Sequence, residues 1–234
     1  MKIIAGNWKM NGTQQQLKTM ISDLSSVETQ NTVILCVPFT MLTTPSDKIL
    51  LGAQDLSRHT HGAFTGQISA QMIAETGAKY VIIGHSECRQ YNGDTNSIVR
   101  QKATNALNNG LIPIICVGET MDEKQAGKTM AVIESGVRES IPSDTSTPII
   151  VAYEPRWAIG AGLTPTAAEI ADAHNLIAKT LSDMGLGGTP ILYGASVKGS
   201  NAAEIMSISN VDGVLVGGAS LKSDDFIPII TSVK

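Results

Sequence analysis

The chain has 234 residues, enough for one large α/β barrel or two smaller domains. Its 17 Lys and Arg residues against 21 Asp and Glu residues give a net charge of −4 without a long basic run, which excludes the charge pattern of a non-specific nucleic-acid-binding protein. With 42% hydrophobic and 16% charged residues the chain can bury a large core, so intrinsic disorder is excluded as well. An odd number of cysteines and the lack of an apolar run of membrane-spanning length lead us to expect a cytoplasmic protein.

Eight short apolar runs rich in Ile and Val predict strands, at residues 3–5, 33–37, 49–52, 80–84, 112–117, 149–153, 191–193 and 214–216. They do not alternate apolar with polar residues, which is typical of parallel strands covered on both faces. Helices are predicted between and after them, at residues 13–26, 68–76, 95–109, 127–139, 166–184, 200–208 and 223–231. This order predicts an α/β fold, a single closed (β/α)₈ barrel over residues 1–234.

Local signals support several helix boundaries. Ser69 begins one helical stretch, the pair Asp94-Thr95 can cap the helix that follows it, and Pro165 stands where a proline at the first helical position would. Gly77, Gly110 and Gly185 supply the corresponding stops. The second unit is the exception, because only about ten residues separate its two strands and a crossover usually needs a dozen or more. We therefore expect a truncated second helix, near residues 40–47.

Three charged or titratable residues follow the ends of predicted strands, where such a barrel carries its active site. Lys9 lies two residues after Asn7 at the first strand end, His85 follows the fourth strand, and Glu154 ends the sixth. A lysine there would attract an anionic substrate, and a neutral imidazole can polarise a carbonyl group. A carboxylate at the end of an apolar strand is either paired or has a raised pKa that suits a general base. Considered one at a time, these residues also have structural interpretations: Lys9 as a solvated loop lysine, His85 as a hydrogen-bonded structural histidine and Glu154 as a member of a structural ion pair.

The segment after Glu154 contains two glycines and an aromatic anchor, and it predicts a mobile lid that expels water from the site. The lid comprises Arg156, Trp157, Ala158, Ile159, Gly160, Ala161, Gly162, Leu163, Thr164 and Pro165. Glycines also follow strands seven and eight, at residues 194–197 and 217–218, where they let backbone N–H groups approach a phosphate. Tight turns would explain each glycine site separately but not their joint placement.

Two other patterns do not carry a function. Residues 127–129 resemble the end of a phosphate-binding P-loop, but the first glycine of that motif would fall on Asp122. His59 and His61 could chelate a metal ion, yet no nearby Cys or His completes a set of metal ligands. We therefore interpret this segment as a solvated loop, and no metal site is predicted.

Six motifs together resemble the triosephosphate isomerase family, in that family's order and across nearly the whole chain. They are Gly-Asn-Trp-Lys-Met-Asn-Gly at 6–12, Gly-Ala-Phe-Thr-Gly at 62–66, Ile-Gly-His-Ser-Glu at 83–87, Cys-Val-Gly-Glu at 116–119, Tyr-Glu-Pro-x-Trp-Ala-Ile-Gly at 153–160 and Val-Gly-Gly-Ala-Ser-Leu at 216–221. The resemblance implies interconversion of dihydroxyacetone phosphate and glyceraldehyde 3-phosphate in glycolysis and gluconeogenesis, without a metal or an organic cofactor.

The resemblance also implies a role for each site residue. Glu154 moves the proton between two substrate carbons, neutral His85 moves protons between the oxygens, and Lys9 with Asn7 stabilises the enediolate. Glu87 lies beside Lys9. The residues implied to hold the phosphate are Gly160, Ser196, Gly217 and Gly218.

Some lid residues depart from the family pattern. Arg156 replaces a small apolar residue, and we expect its side chain to point to solvent. Ala161 replaces a threonine at the lid tip. Pro165 replaces an alanine whose N–H can be held by the tyrosine matching Tyr193, and a proline has no N–H to offer. We therefore expect the closed lid to be held by fewer hydrogen bonds.

The resemblance implies a homodimer in which a loop carrying Phe64, Thr65 and Gly66 reaches the neighbour's active site. Gln67 and Cys88 stand where the family usually has a glutamate and an arginine that can pair across the interface. Because both charges are missing together, no orphan charge is left and the dimer is still expected.

Two alternative functions share these features. An isomerase acting on a four-carbon sugar phosphate would need the same catalytic groups, and only the shape of its cavity would differ. A non-catalytic phosphoester-binding protein on the same fold would tolerate loss of the base or the electrophile, whereas Lys9, His85 and Glu154 are all present.

Overall fold

The computed structural model describes residues 1–143, 148–159 and 163–233. Eight parallel strands form a closed barrel in chain order, and the last strand pairs with the first. They are β1 (Ile3–Asn7), β2 (Thr32–Cys36), β3 (Leu50–Ala53), β4 (Tyr80–Ile83), β5 (Ile112–Val117), β6 (Ile150–Tyr153), β7 (Ile191–Tyr193) and β8 (Gly213–Val216). The barrel prediction is confirmed, and each predicted run forms one strand.

The α-helices within the described ranges are α1 (Gln14–Ser25), α2 (Ala70–Glu75), α3 (Ser86–Tyr91), α4 (Asn96–Asn108), α5 (Met121–Gln125), α6 (Thr129–Ser140), α7 (Ala167–Asp183), α8 (Ala202–Ser207) and α9 (Ser223–Ile230). The helices predicted from the sequence do not include α3 or α5, because six and five residues are too few to show a helical period. The expected truncation is also present: the β2–β3 connection contains only a 3₁₀ turn, Phe39–Met41, at the start of the predicted stub.

Side-chain caps determine where several helices begin. The Ser69 hydroxyl accepts the N–H of Met72, and the Thr95 hydroxyl accepts that of Ile98, so both predicted caps are confirmed. The prediction for Pro165 is wrong, because α7 begins at Ala167 and its N-cap is Thr166. Thr166 forms a reciprocal capping box with a glutamate three residues later, which satisfies two terminal groups and places the proline before the cap.

Apolar side chains fill both sides of the barrel wall. The interior holds Ala5, Ile34, Cys36, Ile82, Ile114, Cys116, Ile150, Ala152, Leu192 and Leu215. Alternate residues of the same strands point outward into a second layer beneath the helices. Because the interior is packed, polar chemistry is confined to the carboxyl ends of the strands. No helix in the described part of the chain has both the length and the apolarity to cross a bilayer.

Candidate active site

Lys9 lies at the mouth of the barrel in a strained backbone conformation. Its φ of 52° falls in the left-handed region, which costs a residue with a Cβ about 1–3 kcal/mol and is found mainly at functional sites. The Oδ1 atom of Asn7 accepts the Lys9 N–H at 2.9 Å and so supports this conformation. The Lys9 ammonium lies 2.6 Å from Oε1 of Glu87, which brings Lys9, Asn7 and Glu87 together as predicted.

His85 is buried at the start of α3 and caps that helix. Its Nδ1 atom accepts the N–H of Glu87 at 3.2 Å, so in the neutral ring the proton is on Nε2. Gly84 precedes it with a φ of 66°, and a Cβ at Gly84 would lie 2.6 Å from Val99. The turn that aims the imidazole across the barrel mouth therefore requires glycine.

Glu154 follows β6 and is almost fully buried, with 3% of its surface exposed. Its Oε1 atom lies 2.9 Å from Nε2 of His85, and its Oε2 atom accepts the N–H of Ser86 at 2.9 Å. The predicted base and the predicted electrophile are thus in direct contact. The remaining donor, Ser86 N–H, belongs to the first turn of α3, where free backbone N–H groups favour a negative charge.

The two groups stabilise each other's charge while they are in contact. Burial raises the pKa of Glu154, but His85, the Ser86 N–H and Lys9 together hold that pKa below its ordinary value. Burial lowers the pKa of His85, whereas the carboxylates of Glu154 and Glu87 raise it above its ordinary value. The N–H that Nδ1 of His85 accepts favours the neutral ring with its proton on Nε2, whereas the Glu154 carboxylate favours the protonated ring.

Three of the four predicted phosphate ligands line the same cavity as the catalytic groups. The cavity is about 310 Å³ and is bordered by Asn7, Lys9, His85, Glu154, Ser196, Gly217 and Gly218, among others. A Cβ at Gly217 would lie 3.6 Å from the Cε of Lys9, and one at Gly218 would meet no atom within 4 Å. Both positions therefore leave their backbone open to a ligand. The fourth residue, Gly160, lies outside the described residues.

Comparisons with known proteins agree with this geometry. The family model described as triosephosphate isomerase matches residues 2–233. The triosephosphate isomerase of Mesorhizobium japonicum is 46% identical, over 97% of this chain and 94% of that protein. The enzyme of a Ruegeria species is 44% identical, over 99% and 98%. A crystal structure of triosephosphate isomerase from Bartonella henselae superposes with a TM-score of 0.87 at 39% identity, covering 99% of this chain and 98% of that one.

The chain belongs to the triosephosphate isomerase family. It is therefore an isomerase, as the motifs of the sequence implied, and its barrel has the fold of the Bartonella henselae enzyme.

The predicted lid of this isomerase is described only at its two flanks, because Gly160, Ala161 and Gly162 lie outside the described residues. The first flank is a 3₁₀ turn, Arg156–Ala158. Trp157 in this turn donates its Nε1–H to Glu119 at 2.7 Å. The backbone N–H of Arg156 donates to the Glu119 carbonyl group, and the residue is half-buried and lines a cavity of about 300 Å³ with Arg89, so the direction of its side chain stays a prediction.

Sequence reasoning missed the role of Gly118, although it noted the motif that contains it. A Cβ built on Gly118 would lie 1.8 Å from the carbonyl oxygen of Glu154. The backbone of Glu154, the predicted base, therefore packs directly against this glycine. The sequence signal was present in the Cys-Val-Gly-Glu motif, but only the pairing of β5 with β6 shows which residue the glycine accommodates.

The predicted dimer loop is exposed on the described chain. Phe64 is 38% exposed and stacks on His59, with ring centroids 3.7 Å apart. Thr65 and Gly66 are exposed beside it. The side chain of Gln67 is used within the chain, because its Oε1 atom accepts the Ser57 hydroxyl at 2.5 Å.

A second cluster of charged and thiol side chains lies beneath this loop, and no sequence motif predicted it. Asp55, Cys88 and Asp94 offer three potential metal-ligand atoms within 4.8 Å of one another. The Lys102 ammonium, however, lies 2.7 Å from Asp55 and 2.8 Å from Asp94, where a cation would bind. Burial also raises the pKa of the Cys88 thiol to about 12. The cluster is thus a buried ion-pair network held by lysine.

Proposed function

We propose that this isomerase interconverts dihydroxyacetone phosphate and glyceraldehyde 3-phosphate. The main support is the contact between Glu154 Oε1 and His85 Nε2 at 2.9 Å, in the cavity that also contains Lys9 and the turns at Ser196 and Gly217. Proton transfer next to a carbonyl group of a phosphorylated substrate needs a base, a neutral hydrogen-bond donor, a cation and a phosphate-binding site.

The reaction begins with Glu154 leaving its contacts with Ser86 and His85. Loss of these contacts raises its pKa, so the carboxylate becomes a stronger base when it reaches the substrate. Glu154 then takes a proton from one carbon, and the electron pair of that C–H bond forms the carbon–carbon double bond of the enediolate. The negative charge moves to the former carbonyl oxygen, which the Nε2–H of His85 and the Lys9 ammonium stabilise.

Product forms when protons are redistributed. His85 gives its Nε2 proton to one oxygen and takes a proton from the other, so the imidazole ends neutral. Glu154 returns its proton to the neighbouring carbon as the new carbonyl group forms. The steps balance without an external donor or acceptor.

Ser196, Gly217 and Gly218 would hold the phosphate group through the turns after β7 and β8, and Gly160 would join them from the lid. Closure of residues 156–165 over the cavity would exclude water and protect the enediolate from losing its phosphate. The position of Ile159 supports this proposal, since this residue of the predicted lid borders the same cavity.

A coupled assay of glyceraldehyde 3-phosphate turnover tests the proposal with the Glu154→Gln variant. The variant keeps the size of the side chain but removes the base, and we expect at least a 10³-fold loss of kcat. Glu134→Gln, which alters an exposed surface ion pair, is the matched control and should keep full activity. A folded wild-type protein without turnover, or an active Glu154→Gln variant, would contradict the proposal. Turnover of a four-carbon sugar phosphate instead would establish the alternative substrate.

We further propose that the protein is a cytoplasmic homodimer. Membership of the family and the exposed loop at Phe64, Thr65 and Gly66 support the dimer, and three free cysteines support a reducing compartment. Sedimentation velocity at micromolar concentration should show a species of twice the chain mass. A monomer alone under these conditions would exclude the proposed assembly.

A further inference from the structure

Asn201 holds the segment that follows β7, residues 196–198, which border the cavity that contains the catalytic groups. Its Oδ1 atom accepts the N–H of Lys198 at 2.8 Å, and its Nδ2 atom donates to the Ser196 carbonyl group at 3.0 Å. Its backbone N–H donates to the Lys198 carbonyl group at 3.1 Å. One half-buried side chain therefore connects the two ends of this part of the cavity wall, which we call the 196–198 turn.

The Asn201 side chain does not cap the helix that it precedes. Asn201 is the N-cap of α8, a position at which an asparagine side chain usually accepts an N–H of the first helical turn. In the described structure it makes no such bond, and its amide oxygen and nitrogen both turn back to the preceding residues. The side-chain hydrogen bonds therefore act on the conformation of the 196–198 turn.

The 196–198 turn is fixed at the peptide plane that joins Ser196 to Val197. A peptide unit is planar, so its carbonyl group and its N–H rotate together. The Ser196 carbonyl group accepts from Asn201, while the Val197 N–H donates to the Ala195 carbonyl group at 2.7 Å. The plane cannot rotate without breaking both hydrogen bonds, so Asn201 restrains the backbone of Ser196.

The remaining donors of Ser196 are available to a ligand. Across the described ranges, its N–H has no hydrogen-bond acceptor and its hydroxyl takes part in no hydrogen bond. Backbone N–H groups and hydroxyl groups are donors that phosphate oxygens accept. Gly217 and Gly218 leave their backbone open in the same cavity, so the three residues can act on one anionic group.

We propose that Asn201 is a positioning residue that holds Ser196 in the conformation that binds the phosphate group of the substrate. The proposal rests on the proposed function, which assigns this group to Ser196, Gly217 and Gly218. Asn201 is not among the described residues that border the cavity, so it acts through the Ser196 carbonyl group and does not touch the substrate. A turn that is already held in its binding conformation loses less conformational entropy when the ligand binds, which strengthens binding.

The test uses two neutral variants of Asn201. Asn201→Ala removes both side-chain hydrogen bonds, whereas Asn201→Ser keeps a residue suited to an N-cap but is too short to span the turn. The probe is inorganic phosphate, titrated against the full-length protein and followed by phosphorus NMR. Both variants should bind phosphate about tenfold more weakly than wild type, the effect of losing one or two hydrogen bonds in the binding site.

The matched control is Asn31→Ala. The Asn31 side chain also makes three hydrogen bonds to backbone groups, at 2.9 Å with Lys2, 2.9 Å with Ile230 and 3.1 Å with Val233, but these lie at the amino end of the barrel. The substitution should lower the free energy of unfolding and leave phosphate affinity unchanged. Circular dichroism verifies that every variant is folded.

A second readout separates phosphate binding from general damage to the site. The value of kcat/KM for glyceraldehyde 3-phosphate should fall about tenfold in both Asn201 variants, because the phosphate contacts support the reaction of the whole substrate. Glyceraldehyde without phosphate, followed by proton NMR as deuterium exchange at the reacting carbon, should react within about twofold of wild type, since Glu154 and His85 are undisturbed.

Three outcomes would overturn the proposal. One is wild-type phosphate affinity in both Asn201 variants. Another is an equal loss for the two substrates, which would show that the substitution damages the whole site. The third is full phosphate affinity in Asn201→Ser, which would reduce Asn201 to an N-cap. Failure of the proposed function would appear separately, as absent turnover of glyceraldehyde 3-phosphate by the wild-type protein, and the phosphate titration does not depend on turnover.

Discussion

Substitution of Gly118 by alanine should reduce catalysis through the backbone of Glu154. The new Cβ would lie 1.8 Å from the Glu154 carbonyl oxygen, whereas such contacts are essentially never shorter than 3.0 Å, so one of the two backbones must move by about 1.2 Å. A misplacement of about 1 Å at a catalytic group costs about 100-fold in rate, which corresponds to about 2.7 kcal/mol of transition-state stabilisation. We expect kcat for glyceraldehyde 3-phosphate to fall by about this factor.

The control for this experiment is Gly110→Ala. Gly110 has a φ of 71° and no atom within 4 Å of its built Cβ, so the substitution strains the backbone without a clash. It should cost about 1 kcal/mol of stability and leave kcat unchanged. Kinetics at saturating substrate are measured on both variants, with circular dichroism and urea unfolding to verify folding. A folded Gly118→Ala variant with kcat within threefold of wild type would refute the argument that this glycine positions the base.

Three further predictions concern stability and the lid. Lys102→Met leaves two close carboxylates without their cation and should cost about 3–5 kcal/mol in urea unfolding, whereas Asp55→Asn, which keeps the Asp94 pair, should cost far less; equal losses would contradict the network. Burial lowers the pKa of His174 to about 4, so between about pH 6.5 and pH 4 this histidine is protonated in the unfolded state and neutral in the folded state. The free energy of unfolding should therefore fall as the pH drops from about 6.5 to about 4. His174→Gln should lose that component, and identical differences between pH 7 and pH 4.5 in both proteins would exclude it. Pro165→Ala supplies a backbone N–H and should slow lid opening. The opening rate is measured by fluorine NMR relaxation dispersion with 5-fluorotryptophan at Trp157, and an unchanged rate would count against a lid held by fewer hydrogen bonds.

The strands and the residues at their ends could be predicted from the sequence alone. Apolar runs typical of strands buried on both faces predicted all eight strands, and the barrel that they imply brings Lys9, His85 and Glu154 to one mouth. Helix caps were readable only where a side chain acts on its own neighbours, as at Ser69 and Thr95. The assignment of Pro165 failed because the capping box of the next residue is the stronger local signal.

Other features depend on residues that are distant in the chain. Gly118 accommodates Glu154 from the neighbouring strand, and Lys102 joins Asp55 to Asp94. The sequence by itself determined the barrel, the family and the chemical types at each strand end, because apolar runs, the alternation of strands with helices and the family's motifs are all formed by residues that are neighbours in the chain. Only the tertiary structure decided the distances, the pKa shifts and the partners of each charge, because these depend on which side chains meet after the barrel has closed.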